Sequence, residues 1–320
     1  MNGEALLKVE GLGVAFTQYT KGLKRTRLQA ISDLDAELYA GEILAVVGSS
    51  GSGKSLLAHA ILGILPQNAE TSGRIIYDGR ELKQADKEAL RGRELALVPQ
   101  SVNFLDPLQR VGEQIVCSAD SDGRRRRMNG RKARATEAEA LLARYGLDRA
   151  VAGYYPHQLS GGMARKVLLQ TALSTDCRLI IADEPTPGLD EAALQEVLHD
   201  FRAAADGGRG ILMITHDINA ALRIADRIAI FYAGTTFEIA AAADFQGTGR
   251  ALRHPYSKAL LAALPDRGFT PIPGTQPLPG ELPQGCLFCG RCPEETKQCR
   301  QTRPEFRGLR NGKVRCIHAT

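Results

Sequence analysis

Apolar and polar positions alternate through LLKVEGLGVAF near the start of the chain and again through LQAISDLDAEL, with a polar, Lys/Arg-rich turn, KGLKRTR, between them. A period of two marks strands with one buried face, so this segment is expected to form an antiparallel edge. Four later runs, EILAVVG, RLIIADEP, GILMITHD and RIAIFYAG, are apolar without alternation. Runs of that kind suit strands buried on both faces, as in a parallel sheet. Between them SLLAHAILGIL, ATEAEALLARYGL and ARKVLLQTALS carry apolar residues at helical spacing. Strands alternating with helices predict an α/β fold with a mostly parallel core sheet and helices on both faces. The charged stretch from about 101 to 158 is expected to be a helical insertion.

After about Ala240 the pattern changes. Pro265, Pro271, Pro273, Gly274, Pro277, Pro279, Gly280, Pro283 and Gly285 crowd one stretch. Proline at that density excludes a helix or a central strand. The stretch is either a linker or an irregular appendage pinned by its cysteines, and the expected division is 1–240 and 241–320. Five of the seven cysteines, Cys286, Cys289, Cys292, Cys299 and Cys316, fall in this tail. Clustered thiols in a reducing compartment point to metal ligation more than to disulfides. Cys117 and Cys177 stand alone and are expected to be small buried side chains.

Composition adds boundaries. At 43% apolar and 24% charged residues over 320, the chain is not disordered wholesale. No apolar run approaches the roughly eighteen residues of a membrane span, and the start lacks a secretory signal pattern, so a cytosolic chain is expected. Part of the net charge of +5 sits in Arg124, Arg125, Arg126 and Arg127, followed by Arg131, Lys132 and Arg134. Such a run can meet phosphate, but Glu137 and Glu139 follow closely, and a solvated loop and helix face is the expectation. No nucleic-acid partner is expected.

The chemistry lies in short strings. GSSGSGKS, residues 48 to 55, fits the phosphate-loop pattern at Gly48, Gly53, Lys54 and Ser55, with Ser49, Ser50, Gly51 and Ser52 between. It follows an apolar strand and precedes a helix. There glycines let backbone N–H groups face phosphate oxygens, Lys54 reaches the β- and γ-phosphates, and Ser55 offers its hydroxyl to Mg²⁺. In LIIADEP, Asp183 emerges at the carboxyl end of a buried strand, where it could hold Mg²⁺, and Glu184 beside it could polarise a water. LSGGM, residues 159 to 163, opens a helix with Ser160, Gly161 and Gly162; structurally it is an N-cap signal.

GSSGSGKS, LIIADEP and LSGGM in one chain, with Gln100 after LALVP, Asp190 in GLD and His216 in ITHD, resemble the ATP-binding cassette family. The resemblance implies a P-loop cassette with an antiparallel N-terminal β-subdomain and a helical insertion. Gln100 then matches the glutamine that touches Mg²⁺ and water, Asp190 the D-loop, and His216 the switch histidine at the γ-phosphate. In that family the LSGG string of one cassette closes over ATP held by another, so a nucleotide-gated dimer is implied. Tyr19 is the candidate for stacking on adenine.

The tail narrows the branch. HPYSKALLAALP, IPG and LPQGCLFCGRCP closely resemble the extension of oligopeptide, dipeptide and nickel importer ATPases, with the D-type subunit most similar. That implies pairing with a second ATPase subunit, two membrane-spanning permease subunits, and an extracytoplasmic solute-binding protein acting indirectly. It also implies a peripheral place on the cytoplasmic face of the inner membrane. The family's pattern assigns a [4Fe–4S] cluster to Cys286, Cys292, Cys299 and Cys316. Cys289 forms a Cys-x-x-Cys pair with Cys292 and keeps zinc open as the alternative. Two departures, PTPGLD for PTTALD and MARKV for MRQRV, lie beside the implied dimer interface and bear on whether both composite sites work equally. The competing class is a soluble cassette ATPase acting on nucleic acid with a cysteine metal site. A single cassette, and cysteines that follow it, count against that class.

Overall fold

The structure, a computed structural model, describes residues 3–19, 25–118 and 131–320. The run from Arg124 to Arg127 lies outside the described residues, as do the side chains of Tyr19, Cys117, Arg131, Lys132 and Arg134. The chain forms two compact units, one of Met1–Tyr39, Leu44–Leu82 and His216–Thr320, the other of Ala40–Ile43 and Lys83–Thr215.

In the first unit, β1 (Leu7–Tyr19) and β2 (Arg25–Leu38) pair antiparallel, as their alternation predicts. With β4 (Ala69–Tyr77) and β5 (Arg80–Glu81) they make a four-stranded sheet in the order β2-β1-β4-β5. Leu7 and Val9 are buried, then Leu12 and Val14, so the inward face changes parity at Glu10 and Gly11. Gly11, with φ of 54°, sits where the register with both neighbours shifts, and an extra residue there rotates the strand without exposing its apolar set. No apolar pattern announces β4: five consecutive positions, Glu70 to Arg74, are exposed.

β3 (Ile43–Gly48) is buried at every position and pairs parallel with β9 (Arg227–Tyr232). β10 (Thr235–Ala241) returns antiparallel on β9, then pairs with β12 (Gly312–Val314), which pairs with β11 (Arg307–Leu309). The last strands of the tail therefore extend the sheet that β9 and β10 begin.

The proline-rich stretch is irregular, as predicted, yet it is no loose linker. Tyr232, Phe237, Tyr256 and Phe288 pack ring against ring, with centroid separations of 5.1 Å for Tyr232–Phe237, 4.6 Å for Tyr232–Tyr256 and 5.2 Å for Tyr256–Phe288. Tyr256 comes from α8 (Pro255–Ala262), and Cys286 and Cys292 pack against the same core. Beneath it Glu238, wholly buried, accepts the backbone N–H groups of Arg253 (2.8 Å) and His254 (3.0 Å) and the Arg253 guanidinium (3.2 Å). A buried carboxylate holds only when its charge is met this fully.

In the second unit, α2 (Gln84–Leu90) is a short surface helix with no buried residue. β6 (Leu95–Val98), β7 (Leu179–Asp183) and β8 (Gly210–Thr215) are parallel, in the order β8-β7-β6. β7 and β8 are buried throughout, which is why their sequences are continuous apolar runs. The predicted helical region is present. Val111 and Ile115 of α3 (Val111–Ser118), Leu142 of α4 (Arg131–Arg144), and Val167 and Leu168 of α5 (Gly161–Leu173) share one apolar core. The chain leaves β7 toward α6 (Glu191–Asp206).

Among the described residues no helix is long and apolar enough to cross a membrane. If the tail belongs to the core, Phe288→Ala should destabilise the first unit by about 3–5 kcal/mol, the cost of deleting a buried phenyl ring. Denaturant unfolding measures it, and a midpoint equal to the parent's would mean that the tail folds apart.

Candidate functional site

β3 delivers the chain into the glycine loop, and packing dictates why its last residue is Gly48. A β-carbon there would come within 2.4 Å of the Phe231 carbonyl oxygen. Gly51 and Gly53 have φ of 75° and 93°, in the region that L side chains avoid. Gly53 caps α1 (Lys54–Leu62), and a β-carbon on it would press on Ile31 at 2.9 Å. The Lys54 ammonium is folded inward, donating to the carbonyls of Gly48 (2.8 Å) and Ser49 (3.0 Å). No acidic residue lies in the first turn of this helix, so the positive end of its dipole, its N-terminal amides and the half-buried Ser55 suit phosphate, with Lys54 beside them.

The loop has a partner that the sequence does not announce. Ser49 donates its hydroxyl to Gln276 Oε1 at 2.5 Å, and the Tyr256 hydroxyl lies against the same serine. Burial pushes the Tyr256 pKa up to about 12, so it stays a neutral hydroxyl. A glutamine inside a proline-rich stretch carries no motif. His216 is the exposed residue just past β8, and Asp217 beside it caps α7 (Ile218–Ile224) by accepting the Ala220 N–H at 3.0 Å.

The second unit holds the other predicted residues. Asp183 ends β7 at 4% exposure, and Glu184 follows at 7%. Glu184 has φ of 49°, a conformation that costs a non-glycine residue roughly 1–3 kcal/mol, and its N–H is held by the Ile214 carbonyl at 2.8 Å. On α5, buried Arg165 donates to the Pro99 carbonyl at 3.0 Å, next to the exposed Gln100. Burial lowers the Arg165 pKa, while the charges of Glu184 and Asp183 pull it back up, which places a guanidinium near both carboxylates. Sequence reasoning misses Arg165; its one signal is the MARKV departure.

Ser160 caps α5 by accepting the Met163 N–H at 3.3 Å. Nothing lies within 4 Å of the place a Gly161 β-carbon would take, and Gly162 meets only the Gly188 carbonyl at 3.8 Å, so this helix start is open to approach. Asp190 caps α6 through the Ala193 N–H at 2.8 Å. Both caps already do structural work within one chain.

Cys286, Cys289, Cys292, Cys299 and Cys316 line one small cavity in the first unit, together with His254 and His318. Burial raises the thiol pKa of Cys286 and Cys292 to about 11 each and also raises that of Cys316. The nearby backbone opposes that rise: Phe288 beside Cys286, Glu294 beside Cys292, and His318 and Ala319 beside Cys316. His318 Nε2 lies 3.3 Å from Cys299 Sγ. None of the described cysteines forms a disulfide, and among the described residues no three His, Cys, Asp or Glu side chains stand as they would around one metal ion. Five thiols on one cavity are nonetheless donors of the chemical kind that an iron–sulfur cluster, or zinc, takes once they are deprotonated.

Comparison with known proteins decides the family. The ABC transporter model matches residues 31–187, and the model for the C-terminal region of oligopeptide/dipeptide transporters matches 237–299. The dipeptide transport ATP-binding protein DppD of Bacillus subtilis is 33% identical over 317 residues, covering 94% of this chain and 90% of that protein. The chain belongs to the ABC transporter family of ATP-binding proteins. The oligopeptide transport ATP-binding protein OppD of Escherichia coli is 34% identical over 318 residues, covering 94% and 89%. Among solved structures, the dimeric post-hydrolysis ATP-binding cassette MJ0796 with ADP and Pi matches with a TM-score of 0.63 at 25% identity, over 74% of this chain and 98% of that one. This ABC protein is accordingly an ATPase that uses ATP and Mg²⁺.

Because Gln276 holds a residue of the phosphate loop, Gln276→Ala should weaken ATP binding roughly two- to tenfold, the share of one hydrogen bond. Equilibrium titration with a fluorescent nucleotide measures this, and an unchanged Kd would show that the contact leaves the loop unaffected.

Proposed function

We propose that the chain is the ATP-hydrolysing subunit of a membrane importer for peptides or a related small solute, nickel included. One observation carries the reading: a phosphate-loop cassette and a peptide-transporter C-terminal region occur in one chain, at 33% identity to a dipeptide transport ATP-binding protein over 317 residues. In this reading the chain sits on the cytoplasmic face of the membrane and pairs with a second ATPase subunit. It docks on two permease subunits, which an extracytoplasmic solute-binding protein supplies.

The roles follow from the residues. Amides of Gly48 to Ser55 and the Lys54 ammonium bind the phosphates of ATP, after Lys54 exchanges its two carbonyl partners for phosphate oxygens. Ser55, Gln100 and Asp183 offer the hard oxygen donors that Mg²⁺ prefers, and Mg²⁺ when bound neutralises phosphate charge. Glu184 orients and deprotonates the attacking water, with its backbone fixed at φ of 49°. His216 contacts the γ-phosphate. Ser160, Gly161 and Gly162 present their open helix start to ATP held by the partner ATPase, with Asp190 at the same junction.

The cysteine cavity has a structural part in this reading. Cys286, Cys292, Cys299 and Cys316 would hold a [4Fe–4S] cluster, a reading supported by their lining of one cavity. Cys289 is the less enclosed fifth thiol. The cluster when bound would cross-link the tail. Anaerobic purification followed by iron, sulfide and zinc analysis tests this; a colourless, iron-free protein with full activity would remove the cluster from the account.

Glu184→Gln should retain ATP binding while hydrolysis falls by about 10²–10⁴-fold, the usual contribution of a general base. In cells lacking the chain, uptake of a labelled dipeptide should return with the parent protein and not with this variant. Turnover of Glu184→Gln at the parent rate would contradict the role given to Glu184, and dipeptide uptake indifferent to the chain would contradict the proposed cargo.

A further inference from the structure

His254 is wholly enclosed, at 1% exposure, on the wall of the cavity that the five tail cysteines line. One ring nitrogen is accounted for. Nδ1 accepts the Tyr256 N–H at 2.9 Å and so caps α8. An Nδ1 that accepts carries no proton, so the ring's proton is on Nε2. That Nε2 is buried and forms no hydrogen bond of ordinary geometry; the Arg315 backbone, next to Cys316, is near enough to act on it only as a weak acceptor. Leaving a donor buried and unmatched costs about 1–3 kcal/mol, and such groups are rare in folded proteins.

The ring has little freedom to escape. It stacks on Phe237 with centroids 4.3 Å apart and an interplanar angle of 23°. Its backbone N–H is bonded to Glu238 at 3.0 Å. Cap, stack and backbone bond together aim Nε2 and prevent the ring from flipping. The other cavity histidine, His318, already has Cys299 Sγ and Thr296 Oγ1 as partners, at 3.3 and 3.2 Å. The sulfurs that line the same cavity become electron-rich acceptors for such a donor once they are deprotonated.

We propose that His254 is a positioning residue for the metal group of the cysteine cavity, its Nε2–H donating a hydrogen bond to a sulfur of that group. The inference rests on the proposed metal site and deepens it. Outer-shell donors of this kind orient ligands, raise metal affinity and, for iron–sulfur clusters, raise the reduction potential by stabilising the extra electron.

Two substitutions separate this role from capping alone. In His254→Asn the amide oxygen replaces Nδ1 and keeps the cap, but nothing reaches as far as Nε2. In His254→Gln the terminal amide nitrogen reaches the position of Nε2, while the cap is lost. The full-length protein and both variants are purified anaerobically, then assayed for iron, sulfide, zinc, midpoint potential and metal loss to a chelator. His254→Asn should shift the midpoint to more negative values and lose metal about tenfold faster or more. His254→Gln should stay near the parent on both measures while unfolding earlier. The reverse order, with Asn like the parent and Gln impaired, would overturn the proposal and leave His254 as a cap. Zinc without iron would overturn the cluster but leave chelator kinetics to judge His254. A chain with no bound metal in any form would overturn both.

Discussion

The phosphate loop is possible only because three backbone segments approach one another without β-carbons between them. Gly48 leaves no room against the Phe231 carbonyl of β9, and Gly234, at φ of 77°, leaves none against the Ala30 carbonyl of β2. The same Gly234 donates its N–H to the Ser52 carbonyl in the loop at 3.2 Å and accepts from the Ser32 N–H at 2.7 Å. The turn between β9 and β10 thus ties the loop to the antiparallel sheet. Any side chain at either glycine pushes apart the carbonyls that keep the loop narrow, and a wider loop no longer points its amides at one anion.

That same β9–β10 hairpin is the platform for the tail. Tyr232 and Phe237, on either side of its turn, receive Tyr256 and Phe288, and β12 adds to its edge. Arg291, between Cys289 and Cys292, donates to the Pro273 carbonyl at 2.7 Å, the Ile272 carbonyl at 3.3 Å and the Tyr232 hydroxyl at 2.9 Å. Three residues beyond Pro273, Gln276 meets Ser49. One short braced segment therefore runs from the cysteine cavity to the phosphate loop, and prolines suit it because they fix the path without needing backbone partners.

How much of this was legible in the sequence depended on how local the cause was. The buried strands, the glycine loop and the helix start at Ser160 follow from patterns a few residues long, and the structure has them where the patterns lie. β4 was illegible because five of its residues face solvent and its pairing is set by β1. Gln276 and Arg165 were illegible for a different reason: Gln276 acts through Ser49, and Arg165 through the Pro99 carbonyl and the charges of Asp183 and Glu184, long-range partners that leave no periodic trace. The cysteine spacing suggested a metal site, but only the fold shows that His254, thirty-two residues before Cys286, shares its cavity.

Arg165 also bears on why a strained Glu184 is tolerable. Two carboxylates at 4% and 7% exposure repel each other and resist losing water. A buried guanidinium nearby offsets both effects, and its own burial is balanced by the same two charges and by the Pro99 carbonyl. Removing any one charge from this set leaves the others uncompensated in a poorly hydrated place. The arrangement therefore supplies the counter-charge that a carboxylate needs if it is to act as a base away from bulk water. It does so through a residue on α5, so the helix that carries Gly161 and Gly162 behind its Ser160 cap is electrostatically joined to the carboxylates within its own unit.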